Sequence, residues 1–147
     1  MTATKPLIVH AENGLDLDMG EAKITILASS EQTGSGEVTF QSGPEGFGPP
    51  PHFHAWDESF YVLKGSVEFS SGEDVALCKQ GSLVHVPGGV IHAFQFGVDG
   101  GEMLEFTGAG SGAAALFTTL SKEMPPGPPD FAKAVELFAR HGATIQI

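Results

Sequence analysis

Glycine and proline interrupt this chain so often that few long regular elements fit between them. The 147 residues include 20 glycines and 10 prolines. They are spread through the chain as punctuation, and that pattern favours short strands joined by tight turns. The runs between them read accordingly. Ile24–Leu27 and Glu37–Phe40 are predicted strands with Thr33–Gly36 as the turn between them. Glu58–Leu63 is a third strand, which Lys64–Gly65 turns into Ser66–Ser70. Gly72–Asp74 turns again into Val75–Lys79, and Leu83–Val86, Ala93–Phe96 and Met103–Thr107 follow. Short strands about 8–12 residues apart predict an antiparallel sandwich or barrel.

The tail changes character. Gly108–Gly112 is a break, and Ala113–Glu123 carries Leu116, Phe117 and Leu120 at helical spacing. Met124–Pro129 stops that helix. Asp130 is a good N-cap for a second helix, Phe131–Arg140, with Gly142 as its stop. The expected organisation is one domain over 1–147, with a barrel over about 21–108 and a helical segment over about 112–142 closing one end or face. The first twenty residues show no clear period. Seven Lys plus Arg against 18 Asp plus Glu give a net charge of -11, so nucleic acid and anionic membrane surfaces are not expected partners. The single cysteine, Cys78, excludes an internal disulfide and multi-cysteine metal sites. No apolar run is long enough for a membrane helix, and the N-terminus lacks the apolar core of a signal peptide, so the expected compartment is the cytoplasm.

Three of the 6 histidines fall in tight patterns. His52 and His54 sit at i and i+2, which on a strand places both imidazoles on one face. Glu58 lies four residues beyond His54, about 13 Å on a straight strand. It joins them only if the chain reverses at Ala55–Asp57, and Asp57 suits such a turn. His92 follows the corner Pro87–Gly88–Gly89. Three imidazoles and one carboxylate, without thiolate, suit one divalent first-row metal: iron, manganese, nickel, cobalt, copper or zinc.

The run Gly46-x5-His52-x-His54-x3-Glu58-x6-Gly65 resembles the first motif of the cupin superfamily, and Gly81-x5-Pro87-x-Gly89-x2-His92 resembles the second. Together they match 9 specified positions, with 15 residues between the motifs. The second motif ordinarily ends in Asn, where this chain has Phe96. The match covers about a third of the chain. The flanking regions resemble, more loosely, small single-domain cupins of the quercetin-dioxygenase-like kind. The resemblance implies an all-β double-stranded β-helix, a jelly-roll barrel, with one metal in its mouth. It also implies His52, His54, Glu58 and His92 as ligands, and a homodimer, for which the strand Ile24–Leu27 and the N-terminal segment are candidate surfaces.

Phe60 and Val62 share parity with Glu58, and Phe94 and Phe96 share it with His92. They are barrel core and, because the core of such a barrel is also its pocket, candidate walls of a small-molecule site. His85 is expected on the solvent or interface face, although the corner at Pro87–Gly89 prevents its parity from being carried to His92. Cys78 reads as a buried filler, His10 and His141 as surface residues, and Phe117, Phe131 and Phe138 as packing residues. The expected function is a mononuclear metal-dependent dioxygenase-type oxidoreductase acting on a small apolar or aromatic substrate, with Glu58 as ligand, base or both. An isomerase or lyase on the same site, and a non-catalytic small-molecule-binding barrel, are the alternatives.

Overall fold

A computed structural model describes residues 5–147. The elements are β1 (Leu15–Met19), β2 (Ala22–Ala28), α1 (Ser30–Thr33), β3 (Glu37–Gly43), β4 (His52–His54), β5 (Glu58–Ser71), β6 (Asp74–Lys79), β7 (Leu83–Val86), β8 (Ala93–Thr107), α2 (Ala113–Glu123), α3 (Phe131–Arg140) and β9 (Ala143–Ile145). The main sheet runs β1-β2-β3-β8-β5-β6, with β7 also paired to β5, and every pairing is antiparallel. A second small sheet pairs β4 with β9. The chain is therefore mostly β, a jelly-roll sandwich carrying short helices. No helix among the described residues is long and apolar enough to cross a membrane.

Two long bent strands, β5 and β8, form the spine. Lys64–Gly65, read from the sequence as a turn, is instead a bulge inside β5. The register against β8 shifts between Val62 and Lys64 and again between Gly65 and Val67. Gly65 sits at φ +67, and a Cβ there would lie 2.2 Å from the Gly100 oxygen. Only glycine permits both that conformation and that approach. Likewise Ala93–Phe96 and Met103–Thr107 are halves of one strand. The turn expected at Thr33–Gly36 is preceded by α1, which ends at Thr33 and is opened by a capping box between Ser29 and Gln32. The N-terminal stretch without visible period contains β1, which pairs with β2 from Leu15↔Ile26 to Met19↔Ala22. Ile24–Leu27 is therefore covered by β1 and is not a sheet edge.

The core inside the spine is Phe60, Val62, Val67, Phe69, Val86, Phe94, Phe96 and Met103. Partly buried Cys78 packs against it rather than lying within it. α3 follows its predicted limits, with the Asp130 side chain accepting from the Lys133 amide at 3.0 Å. Leu116 of α2 and Phe138 of α3 pack with Ala143 and Ile145 of β9, which fastens the helices to the strand beside β4. Phe131, expected to pack, is 51% exposed. The start of α2 is held by a buried carboxylate: Glu37 Oε1 accepts from the Ala114 amide at 2.9 Å and the Ser111 hydroxyl at 3.0 Å, while Oε2 accepts from the Ser30 amide at 2.9 Å. A negative group at a helix N-terminus is favoured by both its free N–H groups and its dipole.

On β3 and β8 the usual alternation is inverted. Glu37, Thr39 and Gln41 are buried, as are Glu105 and Thr107. Their neighbours Val38, Phe40 and Leu104 are only partly buried, and Phe106 is 40% exposed. The inside of this wall is polar and its outside apolar.

Candidate metal centre and cavity

β4 presents His52 and His54 inward and Phe53 outward, as the i, i+2 spacing requires. The strand is short, and its position comes from two neighbours. β9 pairs along it, His52↔Ile145 to His54↔Ala143, and His52 and His92 exchange backbone hydrogen bonds of 3.0 and 2.9 Å. The chain reverses at Ala55–Asp57, and Glu58 opens β5. The Asp57 carboxylate accepts from the Gly88 amide at 2.7 Å, and the Gly89 amide donates to the His54 carbonyl at 2.7 Å. These bonds lock the His54–Glu58 corner to the Pro87–Gly89 corner that precedes His92. A Cβ on Gly88 would lie 2.2 Å from the Ala55 oxygen, so the two corners meet this closely only with glycine there.

The result is a buried cluster of His52, His54, Glu58 and His92, whose potential ligand atoms all lie within 4.8 Å of one another. Each imidazole is oriented from behind. Nδ1 of His52 donates to the Pro50 carbonyl at 2.8 Å, that of His54 to Trp56 at 2.9 Å, and that of His92 to Val90 at 2.8 Å. A carbonyl can only accept, so Nδ1 carries the hydrogen and Nε2 of the neutral ring turns its lone pair inward. Backbone carbonyls orienting metal-binding imidazoles in this way are a recurrent outer layer of metal sites. The Trp56 ring stacks on His54 at 4.2 Å and 4°, and Phe138 meets His52 edge-on at 5.6 Å.

Charge sharpens the pattern. Burial, reinforced by His92, lowers His52 from 6.5 to about 4, so its lone pair stays free at neutral pH. Burial alone would raise Glu58, but hydrogen bonds with His54 and His92 outweigh it and bring the carboxyl to about 2. Glu58 Oε1 lies 2.6 Å from His92 Nε2 and 3.3 Å from His54 Nε2. Burial lowers His92, yet the bond and charge of Glu58 raise it on balance. The short bond between His92 and Glu58 thus favours the charged form of each. The donor set, three inward nitrogens and one carboxylate with no thiolate, fits a divalent first-row metal.

His52, His54 and Glu58 face a cavity of about 520 Å3, and Phe47, Trp56, Phe60, Phe94 and Phe138 supply aromatic wall. Met124, Pro125, Pro126 and Pro129, between α2 and α3, contribute to its rim. His92 does not line that cavity and borders a smaller one of about 290 Å3. Of the four apolar residues expected as pocket walls, Phe60 and Phe94 line the larger cavity. Val62 and Phe96 are 0% and 1% exposed within the core and do not. Phe96 is inside the barrel, as its parity predicts, but it is packed on Phe47 and wedged between Gly43 and Gly101. His85 faces outward and pairs with the Ser59 hydroxyl at 2.8 Å, whereas His141, expected at the surface, is partly buried, its Nε2 2.8 Å from the Thr119 hydroxyl.

Gln41 and Glu105 also line the cavity, and the sequence reading did not single them out. The available signal was the polar series Glu37–Thr39–Gln41 on one strand, together with Glu105 and Thr107 on the other. With Val38, Phe40, Leu104 and Phe106 on the opposite parity, that series reads as a solvent face.

Comparison with known proteins agrees with this fold. The family model described as "Cupin domain" matches residues 36–107. Similar solved structures include the polyketide cyclase RemF from Streptomyces resistomycificus, at 20% identity, TM-score 0.61, covering 71% of this chain and 80% of that one. An RmlC-like cupin from Shewanella frigidimarina NCIMB 400 is 17% identical, TM-score 0.62, covering 71% and 92%. KdgF from Halomonas sp. is 15% identical, TM-score 0.64, covering 71% and 94%. No curated protein matches the sequence.

Proposed function

The chain is a member of the cupin superfamily, and on that premise we propose that it is a mononuclear metal-dependent enzyme, an oxidoreductase of dioxygenase type acting on a small apolar or aromatic molecule. The observation that carries the reading is the buried four-donor cluster at the base of an aromatic-walled cavity of about 520 Å3, a size suited to a small organic ligand. His52, His54, Glu58 and His92 would hold the ion. A divalent metal there supplies Lewis acidity toward an enolate- or catecholate-type oxygen and a position for O2. The protein's part follows from its own groups. Phe60, Phe94 and Phe138 exclude water and seat a flat or apolar body. Trp56 fixes the plane of His54. Glu58, freed from His92 Nε2 once that nitrogen turns to the ion, would hold it through one oxygen and accept the proton of an incoming hydroxyl on the other.

A second reading, a lyase, cyclase or isomerase on the same site, draws on the similar structures, among them a polyketide cyclase and a DMSP lyase. Elemental analysis of protein purified without chelator, followed by O2 monitoring with flavonols, β-diketones and keto acids, separates the possibilities. The proposal expects about one metal per chain and metal-dependent O2 uptake. Turnover without O2 uptake favours the second reading. Ligand binding without turnover, or a metal-free protein, overturns both in favour of a binding module.

We further propose a two-fold dimer through the outer face of β3, β8 and β5. The apolar residues left outside by the inverted alternation are contiguous there: Val38 pairs with Phe106, and Leu104 lies between Phe40 and Tyr61. A monomeric mass by light scattering at micromolar concentration would refute it.

A further inference from the structure

The cluster described above leaves one buried carboxyl of the cavity unused. Glu105 lies on β8 between Thr39 of β3 and Phe60 of β5 and is 3% exposed. Its Oε2 accepts from Gln41 Nε2 at 2.9 Å. Its Oε1 is buried with no hydrogen-bond partner among the described residues. Both Glu105 and Gln41 line the same cavity as His52, His54 and Glu58. A buried polar oxygen with no partner is costly, and an apolar residue would fill this position in a purely structural wall.

The register fixes where this group stands. Thr107 is directly opposite Glu58, so Glu105 is the diagonal neighbour of Glu58 on the same inward face, about 7 Å away between the two backbones. Phe60 and Phe94 line the cavity with them. We propose that Glu105, positioned by Gln41, is a ligand-recognition group that hydrogen-bonds a carbonyl oxygen of a molecule whose other oxygen sits at the His52–His54–Glu58–His92 cluster.

This inference rests on the metal-site reading and narrows its substrate class. Burial, with the charge of Glu58 nearby, holds the Glu105 carboxyl well above the usual carboxylate range. Because Oε2 is engaged as an acceptor by Gln41, Oε1 is the oxygen left to meet a ligand in the cavity, and a carboxyl favoured in its neutral form offers its hydrogen there. The matching ligand atom is a neutral acceptor. The ligand is then a small, largely apolar molecule with two oxygen functions on opposite sides of a ring or short chain, one metal-seeking and one a carbonyl.

Phenol and 4-hydroxybenzaldehyde are suitable probes, because they share the hydroxyl and differ in the carbonyl. Their affinities are measured by calorimetry on the zinc-loaded full chain, in wild type and in Glu105→Leu and Glu105→Gln variants. The aldehyde-over-phenol preference should fall about 3- to 10-fold in Glu105→Leu, the worth of one hydrogen bond. Glu105→Gln, whose amide still donates, should keep most of it. Zinc content and phenol affinity should stay unchanged in both. An unchanged preference in Glu105→Leu overturns the inference while leaving the metal reading standing, and failure of zinc-loaded wild type to bind either probe overturns the ligand class. If Glu105→Leu does not fold, the infrared carbonyl stretch of the bound aldehyde decides between wild type and Glu105→Gln. A shift that differs between them supports the contact, and identical bands overturn it. A wild-type protein that takes up no zinc overturns the metal reading instead. The same infrared comparison on metal-free protein then decides the role of Glu105.

Discussion

Acidifying the metal-free protein should cost it stability through one residue, His52. Its pKa falls from 6.5 to about 4 on folding because the ring is buried beside His92. The folded protein therefore resists a proton that the unfolded chain accepts. The contribution is fully present above pH 6.5 and is lost as the pH falls toward 4. Between those limits, linkage for a single group shifted from 6.5 to about 4 amounts to about 3 kcal/mol. For a domain of this size that is about 6–12 °C in Tm. Other groups act differently in this window. The raised pKa of His92 contributes stability that is already complete below 6.5, and Glu58, lowered to about 2, loses its contribution only below 4.5. Glu105, held neutral by burial, opposes His52, since its unfavourable effect fades as the pH drops toward 4.5. The test is therefore a difference. Urea unfolding of wild type and His52→Gln in chelator, at steps from pH 7 to pH 4.5, should show wild type losing about 2–3 kcal/mol more than the variant. Parallel stability curves would refute the assignment of a buried, neutral His52.

Other perturbations address the site and its supports. His92→Ala and Glu58→Gln should each lower metal content sharply by elemental analysis while leaving the circular dichroism of the barrel intact. X-ray absorption of loaded wild type should give metal–nitrogen distances near ~2.0–2.1 Å, and metal content unchanged by His92→Ala would remove it from the ligand set. Glu37→Ala removes acceptors from the Ser30 and Ala114 amides and the Ser111 hydroxyl. It should cost about 3–5 kcal/mol by chemical denaturation, and a loss below about 1 kcal/mol would refute the role assigned to this carboxylate. Phe96→Asn should destabilise the fold by about 3 kcal/mol or more and leave pocket affinity nearly unchanged in the folded fraction, because Phe96 is core and not cavity wall. Selective loss of apolar ligands at unchanged stability would contradict that.

Much of this protein was legible in its residues because the relevant information is local. The i, i+2 pair His52 and His54, the reversal demanded by Glu58 and the glycine corner before His92 prescribe convergence, and the structure gathers all four side chains within one buried cluster. The helical tail followed from apolar spacing, the Asp130 cap and the prolines between. Strand continuity was less legible. A glycine at positive φ marks a turn or a bulge alike, and only the partner strand decides, so β5 and β8 each read as two strands. β9 escaped notice because three residues carry no period; it exists because β4 needs a partner and the α2–α3 pair delivers the chain beside it. Tertiary structure alone decided which face of β3 and β8 lies inside. Alternation has a period of two but no sign, and the sign is set by what packs against each face. Here that choice put Phe40 and Phe106 outside and Gln41 and Glu105 within the cavity, where open space replaces close apolar packing and the two polar side chains bond to each other.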